Sequence, residues 1–163
     1  MNDSLPDTRG GLLPVGFKAS GVACGIKADP STLDVALFVA DAPVAAAGVF
    51  TLNRVCGAPV KVSRDRVPSE GVRAVVINSG NANACTGARG IEDAETMAAW
   101  VARRLDCSPE SVLVCSTGVI GHYLPMDEIA GGIEAAVEVL GDSAESFEAA
   151  ARAMMTTDTV VKQ

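Results

Sequence analysis

Two stretches of nearly unbroken apolar sequence limit the folds open to this chain. Arg73-Ala-Val-Val-Ile-Asn78 is one, and Val112-Leu-Val114 is the other. Runs this short without alternation mark strands buried on both faces, and such strands need a covering layer on each side. Between them Ile91, Ala94, Met97, Ala98, Val101 and Leu105 recur at helical spacing, with acidic residues first and Arg103 and Arg104 last, as suits the helix dipole. After the second run Met126, Ile129, Ile133, Val137 and Leu140 predict another helix, weakened locally by Gly131-Gly132 where a neighbouring backbone is expected to pack closely. Asp142-Ser-Ala-Glu145 reads as a capping-box-like start for a last helix with the stripe Phe147, Ala150, Ala151 and Met154. The order strand, helix, strand, helix, helix predicts an α/β fold with sheet and helices in layers.

The first third reads as strand-rich and hairpin-like. Residues 1–13 are expected to be a flexible arm, and residues 14–163 a single α/β domain. From Pro14 to Lys27, glycines at 16, 21 and 25 punctuate a bent strand or two short ones, with Lys18 and Lys27 at the ends. Leu33, Val35, Leu37 and Val39 alternate with Asp34, Ala36, Phe38 and Ala40, the period of a strand. Asp41-Ala-Pro is expected to turn the chain, and Ala47–Thr51 and Ala58–Ser63 to form two further strands.

Sixteen glycines and 4% aromatic residues favour close packing of layers, and 48% hydrophobic residues suffice for a sizeable core. Thirteen basic against 20 acidic residues give a net charge of -7, which argues against binding to phosphate backbones, so no nucleic-acid partner is expected. The five cysteines, Cys24, Cys56, Cys85, Cys107 and Cys115, contain no Cys-x-x-Cys pair and read as reduced and largely core. His122 is the only histidine, so no metal cluster is expected. The N-terminus lacks a secretory pattern and no apolar window is long enough to span a membrane, so a cytoplasmic location is expected.

The candidate chemistry lies where the Val112 run opens into Cys-Ser-Thr-Gly-Val-Ile-Gly121. A buried strand ending at a tight turn of small residues lets a ligand approach the backbone, and Ser116, Thr117 and the Gly118 amide offer donors to an oxyanion. An ordinary strand-to-helix turn has the same composition. Ser116 lacks a nucleophile-elbow frame, Cys115 at the end of an apolar strand reads as a small hydrophobe, and neither glycine-rich stretch matches a phosphate loop. No cofactor is expected.

Five blocks in order carry a resemblance: Gly16-Phe-Lys-Ala-Ser-Gly-Val-Ala-Cys-Gly-Ile-Lys27, Ala47-Gly-Val-Phe-Thr-Leu-Asn-Arg54, Asn78-Ser-Gly-Asn-Ala-Asn-Ala-Cys-Thr-Gly87, Cys115-Ser-Thr-Gly-Val-Ile-Gly121 with Leu124-Pro-Met126, and Met155-Thr-Thr-Asp-Thr159. Together they resemble the ornithine acetyltransferase (glutamate N-acetyltransferase) family over nearly the whole chain from Pro14. One departure is Val161 where relatives have a proline before the lysine, and no role is carried to Lys162.

The resemblance implies arginine biosynthesis, with acetyl moved from N-acetylornithine to glutamate and in some members also from acetyl-coenzyme A. Members cut themselves at an Ala-Thr bond into α and β chains, and the new N-terminal threonine of the β chain is the nucleophile. The sequence resembles the α chain and stops before that motif. The implied fold is a layered sheet-and-helix sandwich completed by the β chain, in an αβ hetero-oligomer of heterotetramer type. The family pattern places Thr117 and Gly118 in the oxyanion hole and a substrate contact at Thr156 or Thr157, with Thr157 favoured. The competing expectation is a non-catalytic α/β domain that holds an amino acid or carboxylate with the Asn78–Gly87 loop and the Thr117 turn.

Overall fold

A computed structural model describes residues 13–158. Four strands, β1 (Phe17–Val22), β2 (Val35–Ala46), β3 (Ser69–Asn81) and β4 (Val112–Val119), form one sheet in the order β1-β2-β3-β4. β1 and β3 both run antiparallel to β2, whereas β4 runs parallel to β3. Four α-helices complete the described fold: α1 (Ala58–Arg64), α2 (Gly87–Leu105), α3 (Met126–Glu138) and α4 (Ala144–Ala153). The layered α/β architecture expected from the sequence is the one observed.

Strand alternation divides the side chains between two cores. Val35, Leu37 and Val39 of β2, Ala74 and Val76 of β3, and Val112 and Val114 of β4 face α1, α2 and α3, where Met97, Val101, Ile129 and Ile133 meet them. On the second face, Ala19 and Ala36 pack beneath Ala150 and Ala153 of α4, and Phe38 meets Phe147 edge-on with ring centroids 6.5 Å apart. α4 lies over the β1–β2 side of that face and reaches β3 at Ile77 and Ser79. On the β3–β4 side Val75, Ile77 and Leu113 are half-buried and Cys115 is exposed.

Several elements differ from the sequence expectation. Ala58–Ser63, expected as a strand, is α1: a proline stands in its first turn, and Ala58, Pro59, Val62 and Ser63 are buried on one helical face. Its placement closes the open edge of β4. The Ser63 hydroxyl donates to the Val114 carbonyl at 2.7 Å and accepts the Val114 amide at 2.9 Å, while Arg66 Nη1 donates to the Val112 carbonyl at 2.5 Å. Ala47–Thr51 is not a strand either; the segment has no regular partner and leaves Val49 and Leu52 exposed. Asp41-Ala-Pro does not turn the chain. β2 runs on through it to Ala46, with its register to β3 shifted between Val39 and Val44, an irregularity that accommodates a proline without a donor.

The helices carry smaller corrections. α2 begins at Gly87, four residues before Ile91, so its first turn holds no acidic residue. α4 is capped by Ser143, whose hydroxyl accepts the Ser146 amide, one residue later than the capping box expected from Asp142. In α3 the neighbour of Gly132 is the Cys24 side chain rather than a backbone, since a Cβ there would lie 2.8 Å from Cys24 Cβ and Sγ. None of the five cysteines is fully buried, and Cys85 and Cys115 are exposed. The core takes alanine, valine and leucine instead.

Candidate active site

β3 and β4 are the parallel pair, and their carboxyl ends lie side by side, the location at which open α/β sheets bind ligands. β4 does not end at Cys115 as expected. It continues through Thr117 and Gly118 to Val119, pairing Ser116 with Asn78, Thr117 with Ser79 and Gly118 with Gly80 before the register breaks at Asn81. The break has a steric cause. Gly118 (φ +133°) and Gly80 (φ +105°) both adopt backbone that side chains disfavour, and a Cβ on Gly118 would meet the Gly80 carbonyl carbon at 2.3 Å.

Alternation sends Thr117 and Ser79 to the second face of the sheet, and Ser116 and Asn78 to the helix-covered one. Thr117 is half-exposed, and its hydroxyl makes no hydrogen bond with a described residue. The Ser116 hydroxyl is buried without a partner, as is Oδ1 of Asn78. Thr117 is therefore the hydroxyl of this turn that can reach a ligand from the open side.

Asparagines, unassigned individually by sequence reasoning, build the wall behind the crossing. Asn78 Nδ2 donates to the Asn81 carbonyl at 2.8 Å. Asn81 Nδ2 donates to the Tyr123 carbonyl at 3.0 Å and its Oδ1 accepts the Asn83 amide at 2.9 Å. Asn83, at φ +45°, donates to the Gly90 carbonyl and accepts the Thr86 hydroxyl at 2.7 Å. The loop after β3 is thereby tied to the start of α2 and to the loop after β4. Gly121 closes the second loop by donating its amide to the Ala84 carbonyl at 3.0 Å. The residue type was the available signal, because a run of asparagines after a buried strand can satisfy backbone groups that no ladder reaches.

Asp34, named in the sequence only as a member of the alternation, is fully buried. Its carboxylate accepts the amides of Cys24 (2.8 Å), Gly25 (3.1 Å), Ile26 (2.8 Å) and Lys27 (3.3 Å), and its carbonyl accepts the Ser79 amide. Burial, followed by the Asp34 carboxylate, pushes the Cys24 thiol up to about 12. Lys27 is held below its ordinary value by burial, with Asp34 acting in the opposite direction.

Thr156 and Thr157 are both exposed just beyond α4. The Ser79 hydroxyl donates to the Ala153 carbonyl, so the segment that bears them leaves from beside the end of β3. Thr156 lines a cleft of about 630 Å³ with Lys27, Thr32, Arg152, Met155 and Asp158; Thr157, Thr117 and Gly118 are not among its lining residues. Both expected site pieces thus flank the carboxyl end of β3, Thr117 and Gly118 on the β4 side and the threonine pair on the α4 side. His122 is exposed, and no group of histidine, cysteine and acidic side chains among the described residues is arranged to hold a metal. Among the described residues no helix is long and apolar enough to cross a membrane. Thr159, Val161 and Lys162 lie outside the described residues, as do residues 1–12 of the expected arm.

Comparison with known proteins places this geometry in a family. The model of the ArgJ family matches residues 18–163. The arginine biosynthesis bifunctional protein ArgJ of Rhodopirellula baltica is 47% identical over 161 residues, 97% of this chain but 39% of that protein. Its counterpart from Geobacter sulfurreducens is 52% identical over 147 residues, 90% of this chain and 37% of that protein. Among solved structures, ornithine acetyltransferase from Mycobacterium tuberculosis, complexed with ornithine, superposes with a TM-score of 0.87 at 44% identity, covering 90% of this chain and 79% of the other. The Bacillus halodurans ArgJ structure gives 0.84 at 41% identity, covering 90% and 75%. The chain therefore spans less than two-fifths of the length of these two curated relatives.

Proposed function

From the premise that this chain belongs to the ArgJ family, we propose that it is the α part of a glutamate N-acetyltransferase that moves acetyl from N-acetylornithine to glutamate. The observation that carries the reading is the Gly80–Gly118 crossing, which delivers the Thr117 hydroxyl to the open side at the mouth of the parallel strand pair. Donors fixed before the reaction are what an oxyanion requires, because they stabilise developing charge without reorganising.

In this mechanism the nucleophile is an N-terminal threonine on the β part. Its hydroxyl attacks the acetyl carbonyl while its own α-amino group takes the proton. The carbonyl oxygen becomes an oxyanion, held by the Thr117 hydroxyl and the Gly118 amide. Collapse breaks the C–N bond, and the departing ornithine amine takes the proton back. Glutamate then attacks the acetyl-threonine ester through its amine, the same two donors stabilise the second tetrahedral intermediate, and its collapse breaks the ester C–O bond while the α-amino group passes the proton lost by the glutamate amine to the threonine oxygen. Thr157 or Thr156 contacts the amino-acid substrate.

The β part would cover the incompletely roofed side of the sheet. Phe38, Val75 and Leu113 line an apolar depression of about 250 Å³ there, and the exposed Val49, Leu52 and Val55 extend the apolar surface elsewhere. Exposed apolar area of this kind favours burial against a partner. We also place the protein in the cytoplasm and its assembly as an αβ heterotetramer.

The test is to produce the full-length protein, determine by intact mass whether two chains are present and one begins with threonine, and assay acetyl transfer from N-acetylornithine to glutamate. A single intact chain, or two chains without transfer, refutes the proposal.

A further inference from the structure

Lys27 lines the cleft that holds Thr156, and the proposed mechanism gives it no role. Its Nζ donates to two main-chain carbonyls, Leu33 ahead of β2 and Met155 beyond α4, each at 2.7 Å. Hydrogen bonds from a charged donor are stronger than neutral ones, and these two join segments 122 residues apart in the chain. The stem of the same side chain lies along the β3 turn, with Cγ 3.2 Å from where a Gly80 Cβ would be.

Both ends of this clamp are anchored. The Lys27 amide is one of the four that bind the buried Asp34 carboxylate, and the Asp34 carbonyl takes the Ser79 amide at 2.8 Å. The Ser79 hydroxyl in turn holds the Ala153 carbonyl, two residues before Met155. Met155 directly precedes Thr156 and Thr157, and Gly80 is the residue that Gly118 crosses. Two connections therefore join the Met155–Thr157 segment to the oxyanion turn, one through the Ser79 hydroxyl and one through the Lys27 side chain, and only the second grips the segment at Met155 itself.

We propose that Lys27 is a positioning residue, whose ammonium group fixes the Met155–Thr157 segment against the Gly80–Gly118 crossing and so sets the reach between substrate-binding threonines and oxyanion donors. The proposal rests on the acetyltransferase reading above. Lys27 acts through the Met155 carbonyl, which its ammonium group holds. Removing its charge frees the segment while leaving Thr117 and Gly118 in place, so substrate binding weakens more than turnover.

The experiment compares Lys27→Met, Lys27→Arg and, as a stability control, Val101→Ala, which removes buried volume on α2 away from the site. Each is made in the full-length protein. Lys27→Met is expected to raise KM for N-acetylornithine about tenfold or more with kcat changed less than about threefold, and to speed amide exchange across residues 154–158. Lys27→Arg, which keeps charge and donors, should restore most of the affinity. Val101→Ala should lose stability and keep its KM. An unchanged KM in Lys27→Met, a fall in kcat alone, or an equal rise of KM in Val101→Ala overturns the proposal. Should Lys27→Met not fold, Lys27→Gln replaces it with the same expected outcomes. If the wild-type protein transfers no acetyl group, the functional reading fails, while the exchange measurement still decides whether Lys27 holds the segment.

Discussion

Gly118 crosses Gly80 so closely that a Cβ added to Gly118 would stand 2.5 Å from the Gly80 carbonyl oxygen and 2.6 Å from the Asn81 nitrogen. Two adjacent strands meet here backbone to backbone, with no side chain between them. Gly118→Ala should therefore cost about 1–3 kcal/mol through overpacking alone, with further strain because φ is +133°. Thermal unfolding of the purified variant measures it, and a midpoint equal to wild type would contradict the crossing.

The hydroxyls on either side of the same turn should behave oppositely. On the proposed mechanism Thr117→Ala removes a donor whose value is realised in the transition state, so turnover should fall by about 2.7–4 kcal/mol, on the order of a hundred- to a thousandfold, with KM changed much less. Thr117→Ser should retain far more activity. Ser116→Ala deletes a buried hydroxyl that has no partner, so stability should hold or rise slightly and turnover should stay near wild type. Steady-state kinetics of the full-length protein with N-acetylornithine and glutamate separate the two, and wild-type turnover in Thr117→Ala removes it from the proposed oxyanion site.

The neighbouring glycines of α3 offer an internal comparison. Nothing lies within 4 Å of a Cβ at Gly131, so Gly131→Ala should stabilise by about 0.5–1 kcal/mol through helix propensity. At Gly132 the same change meets Cys24 at 2.8 Å and should destabilise by about 1–3 kcal/mol. Chemical denaturation of both variants reads the difference in sign; equal effects would show that Cys24 does not press on α3.

Cys24 should be nearly inert. Raising its pKa from 9.0 to about 12 lowers the thiolate fraction at neutral pH about a thousandfold. Iodoacetamide should label exposed Cys85 long before Cys24, as followed by peptide mapping of native protein. The sign for stability follows. The folded thiol keeps a proton that the unfolded one releases, so this contribution is full below pH 9.0 and declines as pH rises toward 12. Equal labelling of the two cysteines at neutral pH would contradict the burial of Cys24 beside Asp34.

The parts of the fold legible in the sequence were those with strong periodicity or unbroken apolar character. β3, β4, α2 and α3 were anticipated because their burial patterns are written in many residues at once. α1 was not, because Val60, Lys61 and Val62 mimic strand alternation within seven residues; what decides its structure is the edge of β4, which Ser63 closes. The role of Asp34 was not visible, because periodicity reports polarity, not the presence of four amides waiting nearby. At the candidate site, a resemblance and small residues after a strand pointed to Thr117 and Gly118, whose proposed role the kinetics above would test. Neither singled out Gly80 or Lys27, since their importance lies in residues distant in sequence.

The Cys24–Lys27 loop presents a row of main-chain N–H groups in a concavity, with a glycine at φ +97° and a lysine at its end, the shape in which many proteins receive phosphate. Here the chain brings its own anion. Asp34 occupies the cradle from inside, so the loop is a sealed joint closed to external phosphate, and any charged part of a substrate must find its counterpart elsewhere in the site.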